Sequence, residues 1–221
     1  MKPIKSMYLK LKTVDKSLGL KALACGLVFS VVCAVAGFDA RCNEIRDSVL
    51  RLHILANSDA EVDQELKLYV RDEVLKVSGT VFGDCENETD AAISAKQNIN
   101  LLTETAQNAV FEKGFSYPVT VTVAESWFNN RTYDDFTLPA GNYEAVKIVI
   151  GEGEGHNWWC VMFPAVCLPA AAKGDNDADI SSVLSEKESE IVKAPKKYFA
   201  AFRVVEIYEQ AKNSLGKLFA K

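Results

Sequence analysis

The sequence predicts an α+β domain: two N-terminal helices, an antiparallel β-meander of about four strands plus an N-terminal strand, and a C-terminal helix. Three observations predict it. Apolar residues recur at helical spacing between about 60 and 113, the period falls to two near Tyr117, and helical spacing returns beyond about Arg203. Helices grouped along the chain, then strands grouped along the chain, describe an α+β arrangement with no internal repeat and no interdomain linker.

Residues 49–55 alternate and predict the first strand, which ends at Ala56-Asn57. Ser58 and Glu61 have the spacing of a capping box, and the helix they open carries Val62, Leu66, Tyr69, Val70, Val74 and Val77 on one face before Gly79 and Gly83. A second helix is predicted over 90–113, with Ala95, Ile99, Leu102, Ala106, Ala109 and Val110 as its apolar stripe and Gly114 as its C-cap. Tyr117, Val119, Val121 and Val123 then alternate with polar or small residues as a half-buried strand. Turns at Asn129-Asn130, at 139–142 and at the glycine-rich tip 151–155 separate returning strands over 132–138, 143–150 and 156–163. Residues 170–190 are acidic, with room for one short helix. The last helix carries Val204, Tyr208, Ala211, Leu215 and Phe219 at helical spacing.

Ahead of this domain, which spans 49–221, six lysines up to Lys21 precede 17 uncharged residues over 22–38 and an A-x-A site at 34–36. That pattern marks 1–36 as a signal peptide or an uncut signal anchor, and 37–48 as a flexible leader. Either alternative places the domain outside the cytoplasm, because the lysines hold the N-terminus inside. Beyond residue 36 there remain 19 basic and 29 acidic residues, a balance that opposes nucleic-acid binding.

Cleavage would leave four cysteines, Cys42, Cys85, Cys160 and Cys167. Cys160 and Cys167 flank Pro164 closely enough to be a disulfide, worth about 2–3 kcal/mol on the chain-entropy model; two buried thiols are the other reading. The two histidines, His53 and His156, stand in no zinc motif, so no metal or cofactor is expected. Asp175, Asp177, Asp179 and Glu186 have calcium-loop spacing, but Ile180 occupies the position that requires glycine. The alternative to a binding protein is a cell-wall hydrolase. It would use Cys160 with His156, roughly 13 Å apart on an extended strand, or carboxylates such as Glu125 with Asp134 and Asp135. No catalytic set emerges. Adjacent Trp158 and Trp159 must face opposite sides of a strand, so one is available as an outward anchor.

Two blocks carry a family likeness. Residues 51–59 (RLHILANSD) with 63–72 (DQELKLYVRD), and residues 141–153 (GNYEAVKIVIGEG) continuing through 157–164 (NWWCVMFP) to Cys167, resemble the stage II sporulation protein R family in order and spacing. The resemblance implies an exported signalling protein of endospore formation that is not an enzyme. Such a protein crosses the forespore membrane into the intermembrane space. There it activates a membrane-embedded aspartic protease, stage II sporulation protein GA, which processes the sigma-E precursor. No small-molecule substrate is implied. Ala165-Val166 departs from the proline-rich sequence expected there, and the acidic stretch after Ala170 reads as an insertion. Trp158, Trp159, Arg51 and His53 are the expected partner-binding residues.

Overall fold

The structure is a computed structural model and describes residues 16–133, 135–164 and 179–219. The chain divides into two units, Met1–Ala40 and Arg41–Lys221. Helix α1 (Lys16–Arg46) supplies all that is described of the first unit. It is long and apolar enough to cross a membrane, and its side chains from Leu18 to Val32 are exposed, features that suit a signal peptide or a membrane anchor equally. The leader expected over 37–48 is helical through Arg46, and Cys42 and Ile45 in that stretch have no exposed surface.

In the second unit, strand β1 (Leu50–Leu55) is followed by helices α2 (Glu61–Lys76), α3 (Ser78–Phe82), α4 (Glu88–Gln97) and α5 (Ile99–Glu112). Strands β2 (Val119–Phe128), β3 (Arg131–Thr132), β4 (Thr137–Leu138), β5 (Gly141–Ile150) and β6 (Asn157–Phe163) follow, then helices α6 (Glu186–Lys193) and α7 (Pro195–Phe219). The α+β class holds. The two expected N-terminal helices are four, because Asn98 interrupts the second one and the residues after Lys76 turn again as α3. The strand expected over 132–138 reduces to the two-residue ladder of β3 with β4.

The strand order is the main correction. The sheet runs β2-β5-β1-β6, with β1 parallel to β5 and antiparallel to β6, so it is mixed and not a meander. Five of the six β1 residues are buried, which is the mark of a central strand covered on both faces. Arg51 and His53 disguise that mark in the sequence, since charged and polar residues ordinarily signal an edge or an exposed face. With β1 seated between β5 and β6, the 151–156 connection passes over the end of β1 and is not a free hairpin tip. Gly155 N–H donates to the Ala56 carbonyl (3.0 Å) and Glu154 N–H to the Asn57 carbonyl (3.2 Å). A Cβ on Gly155 would collide with the Ser58 carbonyl, and Gly151 sits at φ +60°, so both glycines are required by the crossing.

One sheet face packs against α2–α5. Leu50, Leu52, Ile54, Val146, Ile148, Ile150, Val121, Cys160 and Met162 meet Leu66, Val70, Val74, Leu102, Ala106 and Val110 in the main core. Across the sheet, α7 packs against β5 and α6 against β4. α6 carries a capping box, with Ser185 and Glu188 exchanging side-chain and backbone bonds. At the box expected for α2, the helix starts beyond an Ala60 N-cap, and Ser58 is committed elsewhere. α7 begins eight residues before Arg203 because Pro195 serves as its first helical residue, where a missing N–H costs nothing.

Candidate functional site

Strands β1 and β6 bring three of the four expected contact residues together. His53 pairs in register with Trp159, and Arg51 with Val161, so Arg51, His53 and Trp159 share the sheet face away from α2–α5. The His53 ring stacks on Trp159 at 3.7 Å between centroids, with Phe128 edge-on to Trp159 at 4.7 Å. Trp158 lies on the opposite face, half-buried against the main core, with the Arg71 guanidinium 4.5 Å above its ring.

Arg51 has no exposed surface. Its guanidinium lies 4.2 Å from the Phe128 ring centroid and 4.9 Å from that of Tyr143, so aromatic faces take the place of water around the charge. Nε donates to the Cys160 carbonyl (2.9 Å) and Nη2 to the Tyr133 hydroxyl (2.6 Å); Nη1 has no hydrogen-bond partner among the described residues. His53 is 7% exposed, and its Nε2 meets Asn157 Oδ1 at 2.7 Å. Burial lowers its pKa to about 4, against the opposing effect of the Asn157 bond and with a smaller push from Lys147. The ring is therefore neutral at pH 7. Arg51 and His53 are thus interior residues: His53 stacks on Trp159, Arg51 lies against the Phe128 ring that also packs on it, and Trp159 itself is half-buried.

The first motif block proves to be a clamp. Asn57 Oδ1 accepts from Glu152 N–H (3.1 Å), and its Nδ2 donates to Asp63 Oδ2 (2.9 Å). Ser58 Oγ donates to the same carboxylate oxygen at 2.6 Å. Asp59 accepts from His156 N–H (2.6 Å) and also meets its Nδ1, while Lys67 Nζ donates to the His156 carbonyl (2.9 Å). Burial raises the Asp63 pKa, but hydrogen bonds from Ser58, Asn57 and Tyr117 outweigh that and hold the carboxyl below its usual range. The clamp ties the turn before α2 to the crossing connection, and the connection leads directly into Asn157, Trp158 and Trp159. Sequence reasoning missed Asp63 and Lys67 as interior residues, although a carboxylate and an amine four apart on an apolar helix face were the available signal.

The rival catalytic residues are not assembled. Cys160 is buried on the core side of β6 and is disulfide-bonded; Cys167, its expected partner, lies outside the described residues. Glu125 and Asp135 are exposed, and Asp134 lies outside the described residues. Asp175 and Asp177 of the calcium-loop spacing lie outside them as well. Among the described residues no group of three or more His, Cys, Asp or Glu could hold a metal ion.

Residues 46–173, which hold the whole sheet, the clamp and the helix layer over it, match the family described as Stage II sporulation protein R. The chain is also similar to Stage II sporulation protein R of Bacillus subtilis (strain 168), at 34% identity over 155 residues, covering 68% of this chain and 69% of the relative. This chain belongs to the stage II sporulation protein R family. It is thus a sporulation protein, and the matched region begins at Arg46 and ends before α6. No solved structure matches it.

Proposed function

We propose that this protein is the exported intercellular signal of endospore formation that activates a membrane-embedded aspartic protease, stage II sporulation protein GA, and so starts processing of the sigma-E precursor. On this reading it acts in the space between the forespore and mother-cell membranes, delivered there by α1 as a signal peptide or anchor. The half-buried Trp159 on the edge strand β6, stacked against a neutral His53 of the central strand β1, is the observation that carries the reading to residues. A pre-oriented aromatic ring loses little freedom on binding, which is what makes such a residue an anchor.

A ligand activates a protease by binding its active arrangement better than its resting one. A tenfold shift needs about 1.4 kcal/mol of differential binding, and a reversal from 1:99 to 99:1 about 5.5 kcal/mol. One well-seated tryptophan supplies a large part of that, about 2 kcal/mol or more.

Co-expression of the full chain with the protease and the sigma-E precursor in a non-sporulating host tests the proposal. Precursor cleavage should require this chain, and Trp159→Ala should lower it at least about tenfold at normal ligand levels. Undiminished cleavage with Trp159→Ala removes this surface, and cleavage without the chain removes the function. The hydrolase alternative is disfavoured by the buried, disulfide-bonded Cys160. If Cys160 and Cys167 form the disulfide, Cys160→Ser and Cys167→Ser should show matching defects, each near 2–3 kcal/mol of stability. A nucleophile would make one loss absolute and leave the other mild.

A further inference from the structure

We propose that the outward face of α7 is a membrane-contact surface for anionic lipid headgroups. This goes beyond the protease reading and does not depend on it. α7 turns Phe202 and Val205 inward, and with them its two carboxylates, Glu206 and Glu209. Glu206 pairs with Arg203, and Glu209 with Arg46 and Lys212. The side chains left outside are of two kinds. Val204, Ile207, Tyr208 and Leu215 form an exposed apolar strip at helical spacing, Ile207 at 59% exposure, with Phe199 nearer the start of the helix at 73%. Lys196 and Arg203 border the strip on one side and Lys212 on the other, all exposed; Lys197, near its start, shares Glu190 of α6.

The charge distribution selects the occupant. Residues 41–221 carry 19 basic and 28 acidic residues, so the domain as a whole is repelled by an anionic surface. The outward face of α7 between 195 and 215 shows cations and no carboxylate. An apolar strip bordered by cations is the arrangement of a helix that lies in the headgroup plane, with cations on phosphate and apolar groups below it. A second copy on the same face would bring like-charged borders together. The chain also carries a helix able to cross a membrane, so a bilayer is at hand at the end of export. A crossing helix and an interfacial helix are two signals, and two are what a durable membrane location needs.

The test uses the full chain reconstituted in vesicles, with a photo-crosslinking phenylalanine analogue at position 207 and, separately, at Phe111 of α5, which is similarly exposed. In vesicles of mixed phosphatidylglycerol and phosphatidylcholine, position 207 should yield lipid adducts and position 111 few. In pure phosphatidylcholine the yield at 207 should fall about fivefold for each cation engaged. With the analogue at 204, the pair Ile207→Glu and Tyr208→Glu should abolish adducts while circular dichroism stays unchanged. Equal adduct yields at 207 and 111, yields indifferent to phosphatidylglycerol, or protein–protein adducts at 207 in place of lipid adducts would each overturn the proposal.

Discussion

Arg51 and Ile207 stand on the wrong sides of the usual partition between apolar interior and polar surface, and they do so in opposite senses. Arg51 is a guanidinium with no exposed surface, and Ile207 is a branched apolar side chain 59% exposed. The interior exception is answered within the domain: two hydrogen bonds, the Phe128 and Tyr143 faces, and the His53–Trp159 stack beside them. The surface exception has no such answer within α7, whose inward face is already filled by Phe202 and Val205. A buried charge kept at such cost rigidifies what it touches, whereas an exposed apolar strip asks for something outside the chain. The two regions therefore should respond differently to substitution, to pH and to lipid.

The largest difference is expected in stability. Arg51→Ala removes both hydrogen bonds and leaves a void beside Phe128, and should cost about 4 kcal/mol by chemical denaturation. A loss under about 1 kcal/mol would mean that the aromatic cage closes without its cation, and the contrast with α7 would fail. Next comes pH. The His53 pKa is lowered to about 4 from 6.5, so the unfolded chain binds the proton more readily. The contribution of the neutral ring is thus complete above about pH 6.5 and is lost as pH falls toward 4, by roughly 2–3 kcal/mol in all. His53→Gln should flatten the stability profile in that window, and a wild-type profile already flat there would show that the ring is not desolvated.

A smaller effect is expected at the clamp. Asn57→Ala loses the bonds to Glu152 N–H and Asp63, and should cost about 1–2 kcal/mol while speeding amide exchange at Glu152 and Glu154. Unchanged exchange at those amides would mean that the crossing is held by its backbone bonds alone. The smallest effect belongs to α7. Ile207→Ser should change stability in detergent-free buffer by less than about 0.5 kcal/mol, because the side chain packs against little. A larger loss there would place Ile207 in the core and erase the comparison.

The same two regions show how far residue patterns reach. The helical spacing of Val204, Tyr208, Ala211 and Leu215 located the last helix, yet Val204, Tyr208 and Leu215 lie outward and the helix buries Phe202 and Val205 instead. A stripe shows that a helix has two faces; the sheet it meets decides which is covered, and here Arg46 draws Glu209 inward. Likewise Arg51 and His53 were expected to contact a partner, yet both are buried. Their burial follows from the position of β1 between β5 and β6, which no local period reports. Trp158 and Trp159 were legible as facing opposite sides, since strand alternation alone requires it.

By itself the sequence determined the α+β class, the separate apolar N-terminal segment, the existence of most helices and strands, and, through its two motif blocks, the sporulation family. These follow from period, composition and residue order, all of which act over a few neighbours. Only the tertiary structure decided that β1 is central, that Gly151–Gly155 closes over it as a clamp, and that Arg51 is buried and His53 supports Trp159 from within. Such outcomes depend on which strands pair across some ninety residues of intervening chain, where the gain from burying both faces of β1 outweighs the local preference for a hairpin.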